Sequence, residues 1–258
     1  MESYQEFEAA RAMLEWQIEL GVTEAICDAP IDRYSLPDAL PKPAQPSGVS
    51  QAVAQVEEVE VDAAAEARAA AKAAASLDAL HAALAAFEHC DLKKGARSLV
   101  FGDGTPGARV MIIGDAPDRD EDRAGRPFVG KPGELLDAML AAIGLSRSES
   151  VYVTTALPWR LPQNHEPRPD QLAMLRPFLE RHVSLAAPEF LIVMGNTACD
   201  AVLGKRGISR LRGHWAETWG RPVLPMLHPA QLLGRPRDKK MAWADLLELN
   251  ARLKRSTS

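Results

Sequence analysis

Four short apolar runs, separated by longer segments with helical periodicity, follow one another between residues 108 and 253. The runs cover residues 108–113, 151–154, 190–194 and 222–227. The segments between and after them predict helices over residues 133–143, 171–187, 196–203 and 240–253. An alternation of strands and helices is typical of a parallel sheet covered on both faces. The sequence therefore predicts an α/β fold, a three-layer α/β/α arrangement around a central four-stranded parallel sheet.

The residues that follow the predicted strands are the first place to look for a site. The carboxyl ends of parallel strands meet at one edge of the sheet, and ligands of such sheets bind there. These strand ends carry Gly114, Asp115, Ala116, Pro117, Thr155, Asn196 and His228. We therefore expect the chemistry of the protein at this edge.

The chain before this pattern has a different character. Residues 6–20 place apolar side chains at helical spacing, so residues 1–27 are predicted to form an N-terminal amphipathic helix. Residues 28–75 are rich in Pro, Ala and acidic residues and predict a linker. Residues 76–258 predict the globular domain, so the fold has a helical and linker N-terminal extension. The leading helix suits a groove on a protein partner, although it could equally pack on its own domain.

Charge is also distributed unequally along the chain, with an acidic N-terminal part and a basic remainder. The net charge is −5 for the whole chain, −11 for residues 1–88 and +6 for residues 89–258. A basic domain fits a nucleic-acid partner, because Lys and Arg neutralise phosphate. The chain has no apolar run of 18 residues and begins without the basic start of a signal peptide. We therefore predict a cytoplasmic protein that binds no membrane and is a monomer.

The three cysteines give no sign of a metal or disulfide framework. Cys27, Cys90 and Cys199 are far apart in the sequence and form no CxxC pair. A zinc site built from neighbouring ligands is therefore not expected. We predict reduced structural thiols and no metal site.

The loop that follows the first predicted strand contains the motif GDAPDRDEDRAGRPFVGKPGELLDAML, residues 114–140. Its glycines allow the backbone to approach a ligand closely, and Phe128 looks exposed and able to stack on a base. Asp115 and Asp118 could equally cap loops, and Phe128 could be a hydrophobic plug. The residues alone leave both interpretations open.

A second motif, LHPAQLLGRP, covers residues 227–236. A histidine at a strand end, fixed by Pro229, can donate a hydrogen bond to a developing anion. A lone loop histidine is more often structural or merely exposed. His228 therefore becomes a candidate catalytic residue only in combination with the first motif.

The two motifs, in this order and about 110 residues apart, resemble the uracil-DNA glycosylase superfamily, and most of all its family 4. The resemblance extends over YVTT before the middle loop, MGNTACDAVLG after the third strand and RDKKMAWADL near the end. It implies a DNA repair enzyme that flips uracil, or a related deaminated base, out of DNA and hydrolyses its N-glycosidic bond. DNA is then the partner.

The resemblance also implies roles for single residues. Asp115 and His228 would be catalytic, Asp115 by steadying the sugar cation or the water and His228 by bonding the leaving base. The base would be held by Gly114, Ala116, Pro117, Phe128, Thr155 and Asn196. Leu232 would enter the DNA stack as a wedge. In a related branch a histidine near His165 captures the sugar, but this chain lacks that branch's basic insert, so we expect an exposed loop residue there.

The departures from the family matter as much. Family 4 enzymes hold a [4Fe–4S] cluster on four cysteines, and the corresponding positions here read Phe87, Cys90, Trp159 and Leu175. One thiolate cannot hold that cluster, so we predict no cofactor and an apolar core in its place. The family reads uracil with an Asn where this chain has Thr155. Asp115 is shorter than the family's Glu, and Asp118 replaces a Gly.

These departures leave two functional alternatives to the glycosylase. The first is a catalytically weakened member of the superfamily that recognises damaged DNA without cleaving it. The second makes residues 1–88 the main functional part, as an interaction arm for a repair or replication partner. Release of uracil from DNA distinguishes the enzyme from the binder.

Overall fold

The computed structural model of the protein describes residues 62–256 together with Arg11 and Trp16, without the side chain of Asn164. It divides the chain into two compact units, residues 1–57 and residues 58–258. In the first unit the two described residues are both helical and exposed. The rest of the predicted N-terminal helix, its suggested protein contact and residues 28–61 of the predicted linker lie outside the described residues.

Six strands form one sheet, and they are β1 (Asp103–Gly104), β2 (Val110–Gly114), β3 (Val151–Thr155), β4 (Phe190–Met194), β5 (Ala216–Thr218) and β6 (Arg221–Met226). Their order across the sheet is β1–β3–β2–β4–β6–β5, with β3, β2, β4 and β6 parallel. This confirms the predicted four-stranded parallel sheet. The edge strands β1 and β5 pair antiparallel. They are too short and polar for hydrophobic periodicity to predict them.

The larger helices are α1 (Ala63–Ala73), α2 (Leu77–Ala86), α5 (Gly130–Ala141), α6 (Pro169–Ala186), α7 (Asn196–Leu203) and α10 (Lys239–Arg255). Four shorter helices are α3 (Leu92–Gly95), α4 (Arg119–Ala124), α8 (Ile208–Leu211) and α9 (Pro229–Gly234), and two 3₁₀ turns cover Pro162–Asn164 and Pro236–Asp238. None of the helices within the described residues has the length and apolar character needed to cross a bilayer.

Two apolar layers cover the sheet, one on each face. Helices α6 and α7 contribute Leu179, Val183 and Val202 to one layer. Helices α5 and α10 contribute Leu136 and Leu246 to the other. All residues of the four central strands are buried or nearly so apart from the first two of β6, as expected of a sheet with both faces covered. The predicted three-layer architecture is confirmed.

Helix α10 runs from the carboxyl edge of the sheet to the opposite edge. Near its end, the carbonyl of Leu253 accepts a hydrogen bond of 3.4 Å from Arg109, the residue before β2. Its beginning, at Lys239, follows the segment that leaves the carboxyl end of β6 through α9. The first turn of α10 therefore lies on the same side of the molecule as the strand ends.

A third apolar cluster lies beside the sheet and corrects the predicted linker. Helix α1 falls inside residues 28–75, where we predicted linker, and its Ala67 and Ala71 are buried. The guanidinium of Arg181 on α6 donates to the carbonyl of Ala74, at 2.7 Å from one of its nitrogens. The prediction is wrong over this helix because alanine is compatible with both a linker and a helix. The globular unit therefore begins before residue 76.

Helix α4 was also missing from the prediction. Asp118 accepts hydrogen bonds from the amides of Asp120 and Glu121, and the Glu121 carboxylate accepts from the amide of Asp118. This reciprocal arrangement is a capping box, which the D-x-x-E spacing predicts. The charged, Gly-bounded segment has no apolar periodicity, so its helix escapes detection by pattern alone.

Candidate active site

The ends of the central strands bring most of the predicted site residues together. Gly114 pairs with Thr155 at the last register position of β2 and β3. The amide of Gly195, after β4, donates to the carbonyl of Met226 at the end of β6, at 3.3 Å. His228 follows two residues later. One edge of the sheet therefore gathers the loops after all four parallel strands, as predicted.

Asp115 is bonded to the beginning of α7. The amide of Ala198 donates to Asp115 Oδ1 at 2.9 Å, and the positive end of the helix dipole favours a carboxylate there. The close approach needs Gly195, which has a φ of +105° and where a Cβ would lie 2.0 Å from Asp115 Oδ2. Burial nevertheless raises the pKa of Asp115 to about 6, and the bonds to the α7 amides lower it in part.

His228 is a neutral imidazole, and its hydrogen bond to the backbone indicates which ring nitrogen carries the proton. Burial lowers its pKa to about 4, against a smaller opposing effect of Asp118. Its Nδ1 accepts the amide of Ala230 at 3.3 Å. Because Nδ1 is the acceptor, Nε2 carries the proton of the neutral ring. A Cβ at Gly114 would lie 3.5 Å from this Nε2, so the N–H donor stands over the bare backbone at the end of β2.

Phe128 packs beside His228 and corrects one prediction. Its ring is buried, with 2% of its surface exposed, where the sequence suggested an exposed phenylalanine. The ring stacks on His228 with 5.3 Å between centroids and 19° between planes. A Cβ at Gly114 would lie 2.7 Å from Phe128 Cζ, so only glycine leaves room for the ring at that position. Gly114, Phe128 and His228 form one contact group.

Two charged residues hold the backbone of Phe128, and the sequence analysis missed both. The Glu121 carboxylate accepts the amide of Phe128, and Arg147 donates to the carbonyl of Phe128 at 2.7 Å. Burial raises the pKa of Glu121 to about 7, with bonds from the Asp118 and Phe128 amides acting in the opposite direction. The capping box was the available signal for Glu121. No local pattern marks Arg147, which comes from a different loop.

Thr155 lies at the predicted position with a constrained side chain. It is 5% exposed, and its hydroxyl donates to the carbonyl of Leu157 at 2.7 Å. The single hydroxyl proton is therefore engaged inside the protein, which leaves only acceptor capacity toward a ligand. A cavity of about 20 Å³, enough for one water molecule, borders Thr155 and His182.

Four other predicted residues have mainly structural contacts. Asp118 caps α4. Pro117 is buried, and Ala116 packs against the third apolar cluster. The side-chain oxygen Oδ1 of Asn196 accepts the amides of Gly207 and Ile208, at 3.2 Å and 2.9 Å. Since this oxygen anchors the start of α8, Asn196 is not among the residues that we assign to substrate.

His165 and Leu232 are not part of the contact group. His165 is exposed, and its backbone amide donates a hydrogen bond to the carbonyl of Pro162. Leu232 is 1% exposed in the core layer that contains α7, so the predicted DNA wedge is wrong. The sequence did not fix the rotational phase of the short helix α9. Its neighbour Leu233 is 41% exposed.

A basic segment follows α9 on the same side of the molecule. It contains Arg235, Arg237, Lys239 and Lys240, all exposed, and we call these four residues the cationic rim. Within the part of the chain that the structure describes, no salt bridge engages any of them. Asp238 is the only acidic residue among them in the sequence. The rim therefore presents a net positive surface next to the site.

The four positions that correspond to the iron–sulfur cysteines of the family named above all lie in the third apolar cluster. Phe87, Cys90, Trp159 and Leu175 are each between 1% and 4% exposed there. Phe87 also meets Phe178 edge-on, with 5.3 Å between centroids. Burial raises the pKa of the Cys90 thiol, which disfavours the thiolate that binds metal. Among the described residues no group of three or more His, Cys, Asp or Glu side chains is arranged to hold a metal ion.

Comparison with known proteins identifies relatives of the whole site. The model of the uracil DNA glycosylase superfamily matches residues 101–247. The type-4 uracil-DNA glycosylase of Archaeoglobus fulgidus is 37% identical over 171 residues, 63% of this chain and 85% of that protein. The enzyme of the same name from Sulfurisphaera tokodaii is 30% identical, over 67% and 83% of the two chains. That of Thermotoga maritima is 34% identical, over 56% and 76%.

Proposed function

The chain belongs to the uracil DNA glycosylase superfamily, and on that basis we propose that it hydrolyses the N-glycosidic bond of uracil, or a related deaminated base, in DNA. Its type-4 relatives support uracil as the base. The observation that carries the proposal is the neutral His228, whose Nε2 proton stands over Gly114 beside the ring of Phe128. This group combines a hydrogen-bond donor with an aromatic face at the ligand-binding edge of the sheet.

His228 acts on the leaving base. As the glycosidic bond breaks, the pyrimidine takes both electrons and its carbonyl oxygen becomes negative. The Nε2–H of His228 donates to that oxygen, and a neutral donor stabilises the anion without having to lose its own proton. A positioned donor of this kind contributes about 10²–10³ in rate. The ring of Phe128, buried against His228, is the aromatic group beside which the base is held.

Asp115 acts on the sugar side of the same bond. Its carboxylate favours the cationic character that develops on the sugar and orients the attacking water. The bond from Ala198 fixes one carboxylate oxygen. The charged form of Asp115 predominates above its pKa of about 6, and His228 is already neutral above about pH 4, so at neutral pH Asp115 is ionised and His228 is neutral. The two residues thereby carry the opposite electrostatic tasks that the reaction requires.

DNA reaches the site through the cationic rim. The rim residues neutralise phosphates on either side of the target nucleotide. Extrusion of that nucleotide costs a few kcal/mol, less at a mispaired uracil. Leu233, exposed and next to the site, is the apolar side chain that fills the vacated stack, in place of the buried Leu232.

The residues at the family's cluster positions do not fit an iron–sulfur cluster. Three of the four side chains have no metal-binding atom, and all four pack within one apolar cluster. Cys199 lies in the layer on a sheet face, separate from Cys90. We therefore assign no step to such a cluster and propose that the third apolar cluster replaces it structurally. Iron analysis of the purified protein tests this, and about four irons per chain would contradict it.

A second candidate function follows from Thr155. Because its hydroxyl proton is bonded to Leu157, the pocket lacks one donor that an Asn would offer to the base. A site with weakened recognition would favour a member of the superfamily that binds damaged DNA without cleaving it. One experiment, which measures both cleavage and binding of uracil-containing DNA, decides between the two functions.

The test uses a duplex with one U·G pair and an otherwise identical duplex with C·G. The proposed enzyme leaves an abasic site at the uracil, which hot alkali converts into a strand break, and leaves the C·G duplex intact. Preferential binding of the U·G duplex without strand breaks would favour the second candidate. If the protein neither cleaves the U·G duplex nor binds it preferentially, both candidate functions are refuted.

A further inference from the structure

Phe128 has a backbone conformation that needs support. Its φ is +50°, in the left-handed region that bulky residues avoid because Cβ meets the backbone. Such a conformation persists where surrounding contacts determine it. Here it directs the ring toward Gly114 and His228. The position of the ring therefore depends on whatever holds the Phe128 backbone.

Two charged side chains form hydrogen bonds with the backbone of Phe128, one with its amide and one with its carbonyl. On the amide side, Glu121 accepts from Phe128 and, at 2.8 Å, from Asp118. On the carbonyl side, Arg147 donates to Phe128 at 2.7 Å and to Pro127 at 3.2 Å. Glu121 is 7% exposed and the Arg147 side chain 14%. Asp137 holds the guanidinium at 2.6 Å.

We infer that Glu121 and Arg147 form a clamp of positioning residues, which sets the Phe128 ring beside His228 so that an extruded base is held at the donor. This inference rests on the proposed function and adds residues to it. Neither side chain touches the base. They act through the backbone of Phe128, so their loss should change the rate of base release more than the binding of DNA.

The neighbouring residue Asp122 provides a matched control. It lies on the same turn of α4 and is also 7% exposed. Its carboxylate likewise accepts two backbone amides, those of Arg97 at 2.8 Å and Ser98 at 3.1 Å. These amides belong to a segment that does not carry Phe128. Asp122→Asn and Glu121→Gln therefore each remove one buried carboxylate charge from the same turn, and they differ in which backbone segment that carboxylate holds.

The experiment is a double-mutant cycle on uracil release with the full chain. Glu121→Gln turns one accepting oxygen into an NH₂ group that opposes a backbone amide. We expect kcat to fall about tenfold while KM for the duplex changes less than about twofold. In a Phe128→Leu background the further loss from Glu121→Gln should shrink to less than about twofold, because no aromatic ring remains to be positioned. Asp122→Asn should combine with Phe128→Leu by simple multiplication.

Independent, multiplying effects of Glu121→Gln and Phe128→Leu would overturn the clamp. An equal fall in kcat for Asp122→Asn, with the same coupling, would also overturn it, since that would reveal general damage to α4. If circular dichroism shows that Glu121→Gln does not fold, Arg147→Lys takes its place in the cycle with the same expected outcomes. A wild-type chain without uracil release refutes the proposed function itself, whereas an active chain without coupling refutes only the clamp.

Discussion

Burial raises the pKa of Asp115 and lowers the pKa of His228, so the pKa of the carboxylate lies above that of the imidazole. This reversed order determines the charge state of the site. His228 is neutral above about pH 4, and Asp115 is a carboxylate above about pH 6. Between pH 6 and the basic range, both groups have the form that the proposed mechanism requires. No proton needs to move between them before the bond breaks.

The pH dependence of catalysis follows from these two values. As the pH falls through about 6, Asp115 takes up a proton and loses its charge, so kcat should decrease there while His228 stays neutral. A series of kcat measurements from pH 4.5 to 9 locates this limb. In Asp115→Asn the overall rate should be lower and the limb near pH 6 absent. A limb that persists in the variant would assign it to another group, of which Glu121, with a pKa of about 7, is the nearest in the clamp.

In the proposed function, Thr155 is the residue that contacts the edge of the base. Thr155→Asn provides an amide that can donate and accept at once, so we expect faster uracil release and a narrower range of bases released. Rates on matched duplexes containing uracil, hypoxanthine and xanthine measure both effects. Slower uracil release without better discrimination would show that Thr155 does not face the base edge.

Among the helices and strands, the apolar pattern predicted the central strands, which are buried on both faces of the sheet, and missed short elements that lack such a pattern. Strand β4 and helix α7 have the predicted bounds, because Gly195 separates an apolar run from a periodic segment. Helix α1 was taken for linker because its alanines carry little pattern. The burial of Leu232 rather than Leu233 depends on one helical turn, α9. Long-range contacts decide such cases, as with Arg147 and Phe128.

Helix α1 should be required for stability although it lies before the matched domain. Ala67 is fully buried in the third apolar cluster and Ala69 on the same helix is exposed. Ala67→Glu places an unpaired carboxylate in that cluster, and we expect a loss of about 2–4 kcal/mol in the free energy of unfolding. Ala69→Glu should change it by less than about 0.5 kcal/mol. Urea unfolding measures both, and equal values would show that α1 does not pack as described.

At the scale of the whole molecule, charge is distributed for a polyanionic partner. Residues 1–88 carry a net charge of −11 and the remainder +6, so the whole chain is acidic at −5, yet the cationic rim lies beside the site. Since α10 begins at the carboxyl edge of the sheet, its Lys239 and Lys240 join Arg235 and Arg237 there. Motif spacing predicted that the strand ends carry the candidate site, but the side of the domain that carries the rim followed only from the course of α10.

The rim should determine the salt dependence of DNA binding. Arg237→Gln with Lys240→Gln removes two phosphate contacts, so the slope of log K against log salt concentration should decrease in magnitude by about 1.8. Lys72→Gln with Lys205→Gln removes the same charge from exposed positions outside the rim and should leave the slope unchanged. Fluorescence anisotropy with a duplex lacking uracil measures this independently of catalysis. Equal slopes for the two double variants would contradict the assignment.

The catalytic role proposed for His228 is tested by the single-turnover rates of uracil release by His228→Ala and by His165→Ala. Both variants remove one imidazole from a loop at the same domain, but only His228 places its Nε2 proton over Gly114. We predict a loss of about 10²–10³ in rate for His228→Ala, with DNA affinity little changed, and a rate close to that of the wild type for His165→Ala. Comparable rates for His228→Ala and the wild type would refute this role, because the leaving base would then be stabilised elsewhere.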